Sequence, residues 1–177
     1  ANTYETNKIN LLSNPTSLYS KQPTVYYGLM YLAKNAKKEV KIHTPYIICN
    51  DYMYNELKNI KVPTTIMTNS AENNGNIFGA VDYLNHKKDI INTGVTIKEY
   101  EGGISYHGKS MTIDDDIAIV GSFNMDMRSA YIDTELMLVI NSKDINKQLK
   151  ASMEEYEKKA ATVKNETEYS HIPEGMK

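Results

Sequence analysis

Cysteine is nearly absent from this chain, arginine occurs once, and no apolar run is longer than a strand. With Cys49 the single cysteine in 177 residues, an intrachain disulfide and a thiol-based structural zinc site are both excluded, and the redox compartment stays open. The longest apolar runs, Ile117 to Val120 and Leu136 to Ile140, fall far below the roughly 18 to 20 residues a spanning helix needs, so the segment by itself is expected to be soluble. A formal net charge of −2 gives no overall basic field of the kind that neutralises many phosphates, which weighs against nucleic acid as a partner. The start, Ala1-Asn2-Thr3-Tyr4, carries neither an initiator methionine nor a signal-peptide pattern and reads as a cut inside a longer protein. Any membrane association of that parent is then expected to come from its missing N-terminal part, and its location is not legible here.

What the chain does have is 41% hydrophobic content, enough for one ordinary core. The expected organisation is one domain over residues 1–163 and a polar, exposed tail over 164–177. Ile9 to Leu12 forms an apolar knot of strand type, followed by a loop through Pro15 and Pro23. Thr24 is placed to cap a helix ending near Lys37, with apolar positions at helical spacing from Val25 to Ala36. Val40 to His43 reads as a strand, Asp51 to Asn59 as a helix, Thr64 to Met67 as a strand and Gly79 to Asn92 as a helix closed by Gly94 in a left-handed cap. Thr96 to Tyr100 and Leu136 to Ile140 follow as strands, and Lys143 to Val163 as a long charged helix. This alternation predicts an α/β fold with a mixed, mostly parallel β-sheet flanked by helices on both faces.

One spaced array stands out: His107-x-Lys109-x4-Asp114-x6-Gly121-Ser122-x-Asn124. His-x-Lys alone means little in so lysine-rich a chain. The chain's own frequencies for the Asp, Gly, Ser and Asn positions put the array at roughly two in a hundred thousand by chance. His86-Lys87-Lys88 mimics its beginning, but Asp89 follows at once and no Gly-Ser-x-Asn comes after. His86 therefore reads as a helix-face residue, and His43 as a satisfied side chain at a strand end. Arg128, kept against nineteen lysines, suggests a need for a planar fork, met by pairing with a nearby carboxylate.

The two strand-like runs around Asp114-Asp115-Asp116 predict an antiparallel hairpin. If Asp115 and Asp116 form the turn, Lys109 faces Ser122, His107 faces Asn124, and all four share one side of the sheet; a three-residue turn shifts the pairing by one. Such a cluster suits a phosphodiester. Its phosphorus is shielded by negative oxygens and calls for a neutral nucleophile, a fixed cation and donors aimed at the equatorial oxygens. In-line displacement sets attacking and leaving atoms on opposite sides of phosphorus, so a second histidine is expected from elsewhere.

The array resembles the HKD signature of the phospholipase D superfamily. Gly121-Ser122-Phe123-Asn124-Met125-Asp126-Met127-Arg128-Ser129-Ala130, with Thr134-Glu135, is similar to the second motif of bacterial cardiolipin synthase-like members, and Thr44-Pro45-Tyr46 and Thr68-Asn69-Ser70 resemble the loops that precede it. The resemblance implies a half domain that packs against a second half about a pseudo-two-fold axis, each giving one motif to a shared site. It implies that one histidine forms a phosphohistidine and the other acts as acid and base, the acid role falling more often to the C-terminal one, here His107; the residues themselves do not decide this. It further implies that Lys109 clamps the phosphate, that Ser122 and Asn124 contact substrate, that Glu135 orients the imidazole, and that the Asp114 position is more structural than catalytic. Neither metal nor cofactor is implied.

Three functions follow as expectations. The first is the C-terminal half of a phospholipase D or cardiolipin synthase-type phosphatidyltransferase acting on phospholipid, with the N-terminal half of the same protein as partner. The second is a self-dimerising nuclease or phosphodiesterase of the same family. The third keeps the array intact but unused in a binding half.

Overall fold

The main sheet is parallel only in the middle of the chain, where helices carry it from strand to neighbouring strand. The computed structural model describes residues 3–16 and 22–165. Its elements are β1 (Lys8–Ser13), α1 (Thr24–Lys34), β2 (Val40–His43), β3 (Ile47–Ile48), α2 (Asp51–Lys58), β4 (Thr64–Asn69), α3 (Ile77–Asn92), β5 (Thr96–Tyr100), β6 (Ser110–Ile113), β7 (Ile117–Gly121), β8 (Met125–Asp126), α4 (Met127–Tyr131), β9 (Leu136–Asn141), α5 (Lys143–Glu157) and β10 (Ala160–Thr162). The main sheet runs β1-β9-β7-β6-β2-β4-β5-β10, and β3 and β8 form a small parallel pair.

The α/β architecture with a mixed sheet is as expected, but its balance differs from the mostly parallel reading. Two of the seven pairings are parallel, β2 with β4 and β4 with β5, and five are antiparallel. The physical reason lies in the connections. A parallel neighbour needs a crossover of a dozen or so residues, which α2 and α3 supply; the link between β6 and β7, residues 114–116, is too short for one.

Period-two alternation sends the sheet's side chains to two different environments. Val40, Ile42, Ile66, Ile97, Met111 and Ile113 join the core with Val25, Leu29, Met30 and Ala33 of α1. Their neighbours on β2 face the other way, where α5 brings Glu154 to Lys41 at 3.3 Å and Glu157 to His43 at 3.2 Å. Helices thus cover both faces. Burial works against the charge of Glu157, but hydrogen bonds from His43 and Lys98 and the charge of Lys41 outweigh it and hold the carboxyl at about 2.

Local boundaries differ from the sequence reading where tertiary contacts decide. Pro23, not Thr24, occupies the cap position of α1, with no side-chain cap bond. Asn50 caps α2 through Met53 N–H, and Asn76 caps α3 through Phe78 and Gly79 N–H. Gly94 does adopt a left-handed φ of 87°. The long helix expected to reach Val163 stops at Glu157, and residues 160–162 pair antiparallel with β5. That pairing satisfies the outer edge of β5, which outweighs the helical preference of a short Lys-Ala run. The expected tail from 164 falls almost wholly outside the described residues.

Candidate active site

The hairpin turns over three residues. Ile113 pairs with Ile117 and Ser110 with Val120, which sets Lys109 against Gly121, whose N–H donates to the Lys109 carbonyl at 3.2 Å. The register built on a two-residue turn is therefore shifted by one, and simple alternation does not gather His107, Lys109, Ser122 and Asn124 on one face. The cause is Asp114, which leaves the ladder at φ 51°, a left-handed conformation that Asp tolerates better than most residues.

His107 and Lys109 do come together. The Lys109 Nζ donates to the His107 carbonyl at 2.8 Å and lies 3.1 Å and 3.3 Å from the ring's Nδ1 and Nε2. The imidazole is exposed at the surface. Partial burial and then the ammonium beside it push its pKa below the usual histidine range, which keeps it neutral at pH 7. Burial also lowers Lys109, partly offset by the charges of Glu135 and Asp126.

Near enough for its charge to act on Lys109, Glu135 heads a hydroxyl and carboxylate cluster. Ser122 Oγ donates to Glu135 Oε2 in a short contact, and its oxygen accepts Leu136 N–H at 3.0 Å. Ser129 Oγ donates to Glu135 Oε1 at 2.7 Å and accepts Asn124 N–H and Nδ2 at 3.2 Å and 3.3 Å. Glu135 is buried, and its carboxylate is bonded to these two serines rather than to the His107 ring. Gly121 has a steric role here: a Cβ would stand 2.1 Å from the Leu136 carbonyl oxygen and 2.9 Å from Met137 Cα, so any side chain would push β9 away.

Asp114 sits at the opposite end of β6 from His107. Its carboxylate accepts N–H bonds from Lys37, Lys38 and Glu39, tying the α1–β2 loop to the hairpin. Burial opposes ionisation there, but the three backbone donors outweigh it and depress the pKa. A depressed carboxylate contributes stability that is present above its unfolded pKa and lost as pH falls through the folded one. Asp114→Asn, which tolerates the same left-handed backbone, is therefore expected to cost about 1–3 kcal/mol at neutral pH, with wild type and variant converging in stability below the ordinary carboxylate range. Chemical denaturation of both proteins across acid pH checks this.

Of the other histidines, His43 is buried at the end of β2 between Glu157 and Tyr106, and His86 lies on α3 with Nδ1 3.0 Å from the Asp82 carbonyl. Arg128 Nε pairs with Asp133 at 3.1 Å. Sequence reasoning gave no role to Ser129, to Asp126, which caps α4 by accepting Ser129 N–H at 2.6 Å, or to Thr44, whose Oγ1 accepts Met125 N–H at 3.0 Å. The two loop motifs quoted for the resemblance were the available signal. Thr44 joins the β2 loop to the Gly-Ser-x-Asn segment, and Asn69 grips the loop before His107. Among the described residues no His, Cys, Asp and Glu group could hold a metal ion, and no helix is long and apolar enough to cross a membrane.

The chain is similar in sequence and in fold to known proteins. The family described as "Cardiolipin synthase, PLD-like domain" matches residues 29–156. Cardiolipin synthase 1 of Staphylococcus epidermidis is 32% identical over 133 residues, covering 73% of this chain and 26% of that protein. A cardiolipin synthase of Staphylococcus aureus is 31% identical over 129 residues, covering 71% and 26%. The chain thus spans about a quarter of the length of these curated relatives. In fold it is similar to Nuc of Salmonella typhimurium, a phospholipase D family member, with TM-score 0.70 at 15% identity over 89% of this chain and 99% of that one. Phosphatidylserine synthase of Haemophilus influenzae gives TM-score 0.69 at 17% identity over 95% and 43%. The chain belongs to the phospholipase D superfamily, in the cardiolipin synthase PLD-like domain family.

Proposed function

We propose that the chain is one half of a phosphatidyltransferase or phospholipase D that moves a phospholipid phosphodiester through a phosphohistidine, the second half bringing its own HKD motif. The observation that carries this is the exposed, neutral His107 ring with the Lys109 ammonium against it. One imidazole nitrogen attacks phosphorus, the P–O bond to the leaving alcohol breaks, and the opposite histidine protonates the departing oxygen. An acceptor alcohol or water then attacks phosphorus, forming a new P–O bond as the P–N bond breaks, passes its proton to that same histidine and frees the first. In this reading Lys109 balances charge on the phosphoryl oxygens, Ser122 and Asn124 contact substrate, and Glu135 holds Ser122 in position.

An uncovered apolar patch at the β1-β9-β7 end of the sheet, beyond the reach of α5, supports the need for a second half. Ile9, Leu11, Val120 and Leu136 are 54%, 62%, 38% and 47% exposed on β1, β7 and β9, and the patch runs up to Ser122. Contiguous exposed apolar surface of this kind marks an interaction site. In this reading the partner half covers it and sets the two histidines face to face.

Self-dimerisation into a phosphodiesterase is the second reading, favoured by the fit of this fold to 99% of the Nuc chain. The net charge of −2 weighs against nucleic acid as its substrate. Sedimentation, with assays on phosphatidylglycerol, bis-p-nitrophenyl phosphate and DNA, separates the two. The expected result is a monomer that is inactive alone and gains phosphatidylglycerol turnover when joined to a second HKD half. A dimer of this chain that cuts DNA robustly by itself would overturn it.

A further inference from the structure

The His107 side chain has one bonding neighbour among the described residues, Lys109, and that lysine folds back onto the same loop. Its placement must therefore come through the backbone of residues 101–109, a segment with glycines at 102, 103 and 108 and no regular structure of its own. One side chain grips that backbone next to the histidine. Asn69, the last residue of β4 and 1% exposed, accepts Tyr106 N–H on Oδ1 at 2.7 Å and donates from Nδ2 to the Tyr106 carbonyl at 2.9 Å. Its remaining capacity is also filled: Nδ2 donates to the Pro45 carbonyl at 3.2 Å, and Oδ1 accepts Asn73 Nδ2 at 3.1 Å. All four bonds an amide side chain can make are in use, and the N–H on one side and carbonyls on the other fix which atom is which.

A second anchor holds the same residue by its hydroxyl. Tyr106 Oη lies 3.3 Å from His43 Nδ1, and His43 Nε2 lies 3.2 Å from Glu157. With Glu157 ionised, a neutral His43 carries its hydrogen on Nε2 and accepts the tyrosine hydroxyl on Nδ1. The Tyr106 ring also packs edge-on against Tyr156 and Tyr100, with centroids 4.9 Å and 5.8 Å apart.

We propose that Asn69 is a positioning residue for His107, acting through its two-bond grip on the Tyr106 peptide, with the Tyr106 hydroxyl on His43 as the supporting anchor. This rests on the reading of His107 as the reacting imidazole. No other side chain of that size replaces the amide: aspartate keeps the acceptor, loses both donors, and turns a carboxylate toward two carbonyl oxygens.

The test is Asn69→Asp, with Tyr106→Phe as a milder variant that keeps the ring packing. Amide hydrogen exchange is measured on the protein, and turnover on the protein joined to its second half. In Asn69→Asp the amides of residues 106–109 exchange at least about ten-fold faster while the β6, β7 and β9 amides keep their protection. The kcat falls about 10- to 100-fold with KM within about two-fold, as expected for a mispositioned reacting group. Tyr106→Phe, which removes the supporting anchor alone, shifts both quantities the same way by a smaller factor, and Asn69→Ala, which removes the grip without burying a charge, decides the matter if Asn69→Asp does not fold. Unchanged exchange at 106–109, an unchanged kcat, or a uniform rise in exchange across the sheet would overturn the proposal. A wild-type assembly inert toward every diester would sink the reading of the reaction instead, and the exchange data would still decide whether Asn69 holds the loop.

Discussion

Replacing His107 by alanine is expected to lower phosphodiester turnover by about three to six orders of magnitude, the scale seen when a reacting side chain is removed from a site that acts as a unit. Stability should stay within about 0.5 kcal/mol of wild type, because the ring is exposed and contributes nothing to the core. Activity and stability are thus predicted to separate cleanly. The neutral ring carries the second half of the argument. Burial and Lys109 push the imidazole pKa down, so the wild-type acid limb should lie below the usual histidine range, and Lys109→Ala should raise it. Steady-state kinetics against pH, with thermal melts of both variants, check each part. A turnover loss of less than ten-fold would remove His107 from the chemistry.

The largest expected effect on stability comes from a residue that has no part in the chemistry. Lys87 lies on α3 at 1% exposure, with Nζ 2.7 Å from Glu99 Oε1, and Tyr83 donates to the same oxygen at 2.7 Å. Glu99 is itself 4% exposed, so removing the lysine leaves a carboxylate in the core beside the Tyr83 hydroxyl with its buried cation gone. Lys87→Met is expected to cost about 3–5 kcal/mol. For a chain of this size that corresponds to a Tm lower by roughly 6 to 20 °C. The double variant Lys87→Met with Glu99→Leu should recover most of the loss, since removing both charges abolishes the unpaired one. Urea denaturation of the three proteins measures this, and a single variant within about 1 kcal/mol of wild type would show that the pair is not desolvated as described.

Lys87 also shows where sequence ceases to inform. In His86-Lys87-Lys88 it reads as one more lysine on a wet helix face, and only the approach of β5, twelve positions away, reveals a buried ion. Local signals served well where local chemistry governs: Thr96–Tyr100 forms the strand expected, Gly94 takes its left-handed turn, and the Arg128 pairing with Asp133 lies five residues along the chain. The HKD array was legible for the same reason, since its spacing is written within one stretch. The hairpin register was not, because a carboxylate at 114 reaching back to amides at 37–39 decides the turn. Nor was β10, whose partner strand lies some sixty residues earlier. Asn69 was visible as part of a resembling motif, but its work depends on Tyr106, which no periodicity connects to it.

The most direct measurement is a crystal structure of this chain with its second half, soaked with tungstate or vanadate as a phosphate mimic. The oxyanion should sit within hydrogen-bond reach of the His107 ring and the Lys109 ammonium, with a matching His-Lys pair from the other half on its far side. An oxyanion bound elsewhere, or one met by His107 with no second imidazole opposite, would contradict the shared-site account.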